Sequence, residues 1–219
     1  MKISSKLIAK IIGIIIAVAV VLGLAVYFIP IFRVTTIEVT GNSRMSNEQI
    51  EEAAGVPDGA NLLRINAHDT AANVASLPWV ATATVGRSLP NTLVVELTER
   101  EVAAFVNAED GPHLIDTNGR EFIIDEPPAE AVEITGEWDS ENLSDPVEVI
   151  ASIPEELRAQ IARLDVEEPY VMRVHMEDGR SIIWGANEDN ENKARALSAV
   201  LQMEGDNWNI SNPSLVSRP

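Results

Sequence analysis

The chain has 219 residues, no cysteine, and 34 acidic against 16 basic residues, a formal net charge of −18 at pH 7. Without cysteine there is no disulfide, no thiolate nucleophile and no cysteine metal site, so stability has to come from packing. All the acidic residues and 13 of the basic ones lie beyond residue 30, where the balance is about −21 and no cluster of Lys or Arg occurs; such a surface repels nucleic acid and gives anionic headgroups nothing to hold.

Residues 11–29 carry no charge and follow Lys2, Lys6 and Lys10. As a helix this run measures about 28 Å, close to the roughly 30 Å hydrocarbon core of a bilayer. The pattern predicts a bilayer-spanning helix over residues 11–31, with residues 1–10 cytoplasmic and the remainder outside, because lysines mark the inner side. A cleaved signal peptide would have a shorter apolar core ending in a small-x-small site. Gly23-Leu24-Ala25 has the sizes but lies inside the run, which continues through Tyr27, Phe28 and Ile29. The expected location is therefore the cell membrane, single-pass, N-terminus inside.

Residues 34–40 (VTTIEVT) are rich in β-branched side chains and predict a strand. Gly41-Asn42 supplies a turn, and Ser46 with Gln49 has the spacing of a capping box. A short helix bearing Ile50, Ala53 and Ala54 then stops at Gly55 and Pro57. Asn66 is the expected N-cap of a second helix carrying Ala71, Val74 and Ala75, closed by Pro78. Residues 79–88 and 92–98 alternate as two strands around Leu89-Pro90-Asn91, with Val80, Thr82, Thr84 and Gly86 on one face and Ala81, Ala83, Val85 and Arg87 on the other. The order β-α-α-β-β predicts two helices over a three-stranded sheet. Trp79 is expected to pack at a strand end and Arg100 to pair with a nearby carboxylate.

The stretch TIEVTGNSRMSNEQIEEAAG, the G-A-N-L-L at residues 59–63, and LPWVATATVGRSLPNTLVVELTEREVAAF resemble the POTRA domain of the FtsQ/DivIB family of bacterial division proteins. Leu77-Pro78-Trp79-Val80, the run from Arg87 to Leu93, and Glu99-Arg100 stand in that family's order and spacing. The resemblance implies a POTRA domain at 32–100 and an FtsQ/DivIB-type β domain at 101–219.

In that second segment, residues 102–106, 113–116, 121–124 and 132–135 are short apolar stretches between turn formers, with Asp116-Thr117-Asn118-Gly119 the strongest hairpin signal. A helix is expected over residues 146–162, divided or kinked at Pro154. Residues 170–176 and 180–184 predict a hairpin, residues 190–203 a helix, and residues 207–216 a terminal strand. Leu114-Ile115-Asp116, Trp184-Gly185, Lys193-Ala194 and Ile210-Ser211-Asn212-Pro213 match the family, while Asn209 stands where its members often carry Asp. The fold class is α+β: a transmembrane helix, a POTRA domain, then a mixed sheet domain.

His68, His113 and His175 belong to no metal-binding spacing, and no P-loop, G-x-S-x-G or G-x-G-x-x-G occurs. Asp178, Glu188, Asp189 and Glu191 lack EF-hand spacing. Asn142-Leu143-Ser144 and Asn209-Ile210-Ser211 match the glycosylation sequon. No catalytic residue, cofactor or metal is expected. The resemblance implies a divisome scaffold that binds FtsB-like and FtsL-like coiled-coil proteins and links them to septal peptidoglycan synthesis. It contacts the bilayer through residues 11–31 and does not bind nucleic acid. A partner strand could add to a sheet edge formed by the last strand, with Trp208, Ile210, Ser211, Asn212, Leu215 and Val216 as candidate binding residues. The alternatives are a membrane-anchored envelope enzyme and a POTRA-type receptor for exported proteins.

Overall fold

The computed structural model describes residues 5–28, 32–136, 143–168 and 171–218. Residues 29–31 of the expected span, Asn142 of one sequon and Tyr170 of the expected hairpin lie outside them. Helix α1 runs Ser5–Phe28, 24 residues, or about 36 Å at 1.5 Å per residue. Its side chains are described from Lys10 to Leu24 and all are exposed. Counted over the described residues alone, no helix is long and apolar enough to cross a membrane.

The rest divides after Glu99 into two units. In the first, β1 (Thr36–Thr40), α2 (Asn47–Ala54), a 3-10 turn (Leu62–Arg64), α3 (Ala67–Ala75), β2 (Val80–Ser88) and β3 (Thr92–Glu99) follow in order. The sheet order is β1-β3-β2, with β1 parallel and β2 antiparallel to the central β3. The Ser46 hydroxyl accepts from the Gln49 amide while the Gln49 side chain accepts from the Ser46 amide, closing the capping box. Asn66 caps α3 by accepting from the His68 amide at 3.2 Å. Ile50, Ala54 and Val74 from the helices meet Val80, Val95 and Leu97 from the sheet.

Gly41 shows why the turn after β1 carries no side chain. At φ 92° a Cβ there would lie 1.8 Å from the Leu97 carbonyl oxygen. One face assignment from alternation is corrected. A register shift between Val80 and Thr82 is a bulge that places an extra residue in β2, so Ala83 and Val85 join Val80 against the core, rather than facing away from it.

The second unit contains β4 (Val102–Ala108), β5 (Gly111–Asp116), β6 (Glu121–Ile124), β7 (Val132–Gly136), α4 (Ser144–Ser152), α5 (Glu155–Arg158), β8 (Ile161–Glu168), β9 (Val171–Met176), β10 (Ser181–Gly185), α6 (Asn190–Val200) and β11 (Asn207–Asn209). All eight strands form one sheet, ordered β11-β10-β9-β8-β7-β4-β5-β6. The pairs β4–β7, β7–β8 and β10–β11 are parallel, the others antiparallel. Val149 and Ile150 of α4 and Leu197 and Val200 of α6 pack against Ile134, Leu164, Val174, Ile182 and Trp184 of the sheet, all essentially buried. Burying each such side chain contributes roughly 1.5–3 kcal/mol.

The helix expected to reach residue 162 ends at Arg158, and Ile161 begins a strand instead. Ile161, Leu164 and Val166 are buried with a register shift between Ile161 and Arg163, a spacing that a bulged strand satisfies as well as a helix does. The terminal strand is likewise shorter than expected, three residues in place of ten.

Candidate functional site

Strand β11 forms one edge of the eight-stranded sheet and β6 the other. What fixes β11 is apolar: Trp208 is 4% exposed and Ile210 wholly buried. Trp208 lies opposite Ile182 in the parallel register, and the Ile210 amide donates to the Ile183 carbonyl at 3.0 Å. The Trp208 indole N–H donates to the Gly205 carbonyl. Both side chains belong to the core of their own unit. They position the edge and do not present themselves on it.

Beyond Ile210 the chain turns back. The Asn209 side-chain oxygen accepts from the Ser211 amide at 3.0 Å and its hydroxyl at 2.7 Å. An aspartate, whose side chain also accepts, could fill an acceptor-only role of this kind. Asn212 accepts from the Ser214 amide, and the Leu215 amide donates to the Asn212 carbonyl. The returning strap then pairs with the outer side of β11: the Asn209 amide donates to the Ser217 carbonyl at 2.8 Å and the Ser217 amide donates back at 3.1 Å. Arg218 lies over the Trp208 ring at 4.8 Å and donates to the Glu204 carbonyl.

Asn207 stands two residues before Asn209, so its backbone groups face the same outer side. Leu215 is 72% exposed and Val216 is exposed too. Of the six residues expected to bind a partner, then, two are buried, Ser211 and Asn212 hold turns, and Leu215 and Val216 face solvent. Sequence reading did not single out Asn207, Ser217 or Arg218. The nearest signal was Asn209-x-Ser211, read as a sequon and found as a side-chain turn.

Lys193 lies beneath this end of the sheet, almost fully buried, with its ammonium donating to the Ala186 carbonyl at 2.7 Å. Burial pushes its pKa below the ordinary lysine value, against the opposing pull of Glu188 and Asp189. Gly185, at φ 81°, approaches Ser211 so closely that a Cβ would sit 2.8 Å from the serine Cβ.

Elsewhere among the described residues, one hydroxyl, one carboxylate and one imidazole do come together. Thr135 donates to Asp165, and His175 contacts the same carboxylate at 3.1 Å. The carboxylate sits between hydroxyl and imidazole, whereas a nucleophile needs the imidazole beside the hydroxyl. Among the described residues no three His, Asp or Glu converge as a metal site. A depression of about 480 Å³ between α2 and α3 is lined in part by Val56, Pro57, Arg64, Asp69 and Thr70, but the Thr70 hydroxyl donates to the Asn66 carbonyl and not to a base.

A small β-α-α-β-β unit followed by a mixed sheet with an edge built by its last strand is the architecture of a POTRA domain joined to a second α+β domain. Residues 32–100 match the POTRA domain, FtsQ-type, and residues 104–214 match the C-terminal domain of cell division protein FtsQ/DivIB. The chain belongs to the FtsQ/DivIB family of cell division proteins. It is 42% identical over 219 residues to cell division protein FtsQ of Corynebacterium glutamicum, covering 98% of this chain and 99% of that one. It is 32% identical to FtsQ of Mycolicibacterium smegmatis over 90% of this chain and 60% of that longer relative. The solved extracytoplasmic domain of DivIB from Geobacillus stearothermophilus overlaps 49% of this chain and 98% of that one, at 17% identity and a TM-score of 0.39, a likeness too weak to carry an argument.

Proposed function

We propose that this division protein is a single-pass membrane scaffold without catalytic activity. Helix α1 crosses the membrane with its N-terminus in the cytoplasm, so that the POTRA unit of residues 32–100 and the sheet unit of residues 101–219 lie outside. The sheet unit captures the extracytoplasmic parts of FtsB-like and FtsL-like coiled-coil proteins and links them to septal peptidoglycan synthesis. The observation that carries the reading is the edge position of β11, with the outward backbone groups of Asn207 beside exposed Leu215 and Val216, while those of Asn209 are held by Ser217. An edge strand can accept another strand through main-chain bonds, and flanking apolar side chains add specificity.

The test is recovery of partners with the tagged full chain from membranes in mild detergent, read by mass spectrometry. Asn207→Pro removes an outward donor without touching the pairing with β10. It and Leu215→Asp are expected to abolish recovery of small single-pass coiled-coil proteins while the sheet unit stays folded. Unchanged recovery would move the binding edge away from β11; recovery of secreted substrates would replace the scaffold reading by a receptor.

A further inference from the structure

The arginines of the first unit are scattered in sequence, yet the fold gathers three of them at one end. Arg33 forms an isolated bridge with Asn61, and the Leu62 amide donates to the Phe32 carbonyl at 2.7 Å. These bonds hold the turn carrying Leu63 and Arg64 beside the point where the chain enters the unit. Arg87, near the end of β2, donates to the Leu62 carbonyl at 3.0 Å and the Ile65 carbonyl at 2.5 Å. The β2–β3 tip joins the same end, because the Thr35 amide donates to the Asn91 carbonyl at 3.0 Å.

Residues 32–36, 59–68 and 86–92, which build this end, contain no Asp or Glu in a chain that has 34. The nearest acids stand at its rim, where Glu51 and Asp58 line one hollow with residues 34–37 and Asp69 lines another with Arg64. Two leucines are exposed there as well, Leu63 at 38% and Leu89 at 62%. Elsewhere in the first unit, Ile50, Leu93 and Leu97 are buried.

We infer that this end of the POTRA unit, carried by Arg33, Leu63, Arg64, Arg87 and Leu89, docks on an anionic lipid surface. The inference rests on the reading of α1 as membrane-spanning. Between Phe28, the last residue of α1, and Phe32 there are four peptide steps, which reach at most about 14 Å. That tether keeps the entry point of the unit within about 14 Å of the end of α1, less than two Debye lengths of about 8 Å at physiological ionic strength. The opposite end, with Gly41 and Glu99, is removed by the length of β2, roughly 30 Å, and is screened. Leucine side chains enter the headgroup boundary while guanidinium groups stay at its polar level. The linear order of residues holds no basic cluster, and the fold brings Arg33, Arg64 and Arg87 to one end.

Because the chain has no cysteine, a single introduced one reports cleanly. Full chains carrying Ser88→Cys at the β2–β3 tip, or Thr98→Cys at the far end as control, are labelled with an environment-sensitive fluorophore. They are then reconstituted in nanodiscs of phosphatidylcholine alone or with phosphatidylglycerol, with headgroup-quencher lipid in both. The label at 88 is expected to be quenched more in anionic discs than in neutral ones and the label at 98 in neither. Arg33→Gln and Arg64→Gln are expected to lower the docked-to-free ratio roughly fivefold for each positive charge removed from the surface. Leu63→Asn with Leu89→Asn should lower quenching in both lipids. Labels at 88 and 98 equally open to water, or quenching at 88 indifferent to lipid charge, would overturn the docking while leaving the span intact. Failure of the chain to co-elute with the discs would overturn the span itself and the tether with it.

Discussion

The Asp116 carboxylate is almost fully buried and holds three groups at once. It accepts from Arg100 at 2.5 Å and from the amides of Asn118 and Arg120 at 2.9 and 3.1 Å. The turn at Gly119 and the start of the second unit are thereby tied to one side chain. Removing one partner of a buried pair leaves the other charge uncompensated, at about 3–5 kcal/mol. Asp116→Ala is expected to lose stability of that order by urea titration, with Asp116→Asn losing less. Glu99 plays a related part in the first unit, where it accepts from the Ser43 hydroxyl at 2.7 Å and the Met45 amide at 2.9 Å. Burial pushes its carboxyl up, but the bonds from Met45, Ser43 and Arg44 together leave its pKa below the ordinary glutamate value. A depressed carboxylate stabilises above its unfolded pKa and loses that contribution as pH falls through the folded one. The wild-type advantage over Glu99→Gln, about 1–2 kcal/mol at pH 7, should therefore fade below about pH 4.5; an advantage that grows on acidification would contradict it.

At the level of elements, β7 and β8 meet without room for a side chain at one point. A Cβ on Gly136, at φ 104°, would lie 2.1 Å from the Val166 carbonyl oxygen. Gly136→Ala is expected to cost at least about 2 kcal/mol by thermal denaturation, since backbone has to move in the centre of the sheet. The strap over β11 makes a different prediction. Removing residues 217–219 frees the outward groups of Asn209 while keeping Leu215 and Val216, and should strengthen partner recovery; weaker recovery would mean that the strap itself is contacted. The caps of α2 and α3 were legible because Ser46, Gln49 and Asn66 act on neighbours three or fewer residues away. Strand β8 was not, because Ile161, Leu164 and Val166 acquire their meaning from β7 and β9, which are assembled only in the sheet. The bulge at Val80 was hidden for the same reason, since a register shift belongs to a pair of strands.

For the whole molecule, each unit carries its own apolar core. Ile50→Ala is expected to lower the stability of the first unit by about 2–5 kcal/mol, read as faster hydrogen exchange at the Val95 and Leu97 amides. The two-part α+β organisation could be read from turn formers and family motifs, whereas the binding candidates could not be sorted by exposure. An aromatic in a polar tail suggests an anchor for a partner, yet Trp208 spends its surface on its own sheet.

The parallel pairing of β11 with β10, reached through α6, also sets a time order. A ribosome delivers α1 and the POTRA unit long before the residues that make this edge, and parallel pairing across an intervening helix cannot begin until β11 has emerged. Translation interrupted within α6 would leave a product with its POTRA unit whole, β10 at the edge of its sheet and β11 missing. The recruitment through β11 proposed above is therefore restricted to chains whose synthesis has run through the sheet's last strand.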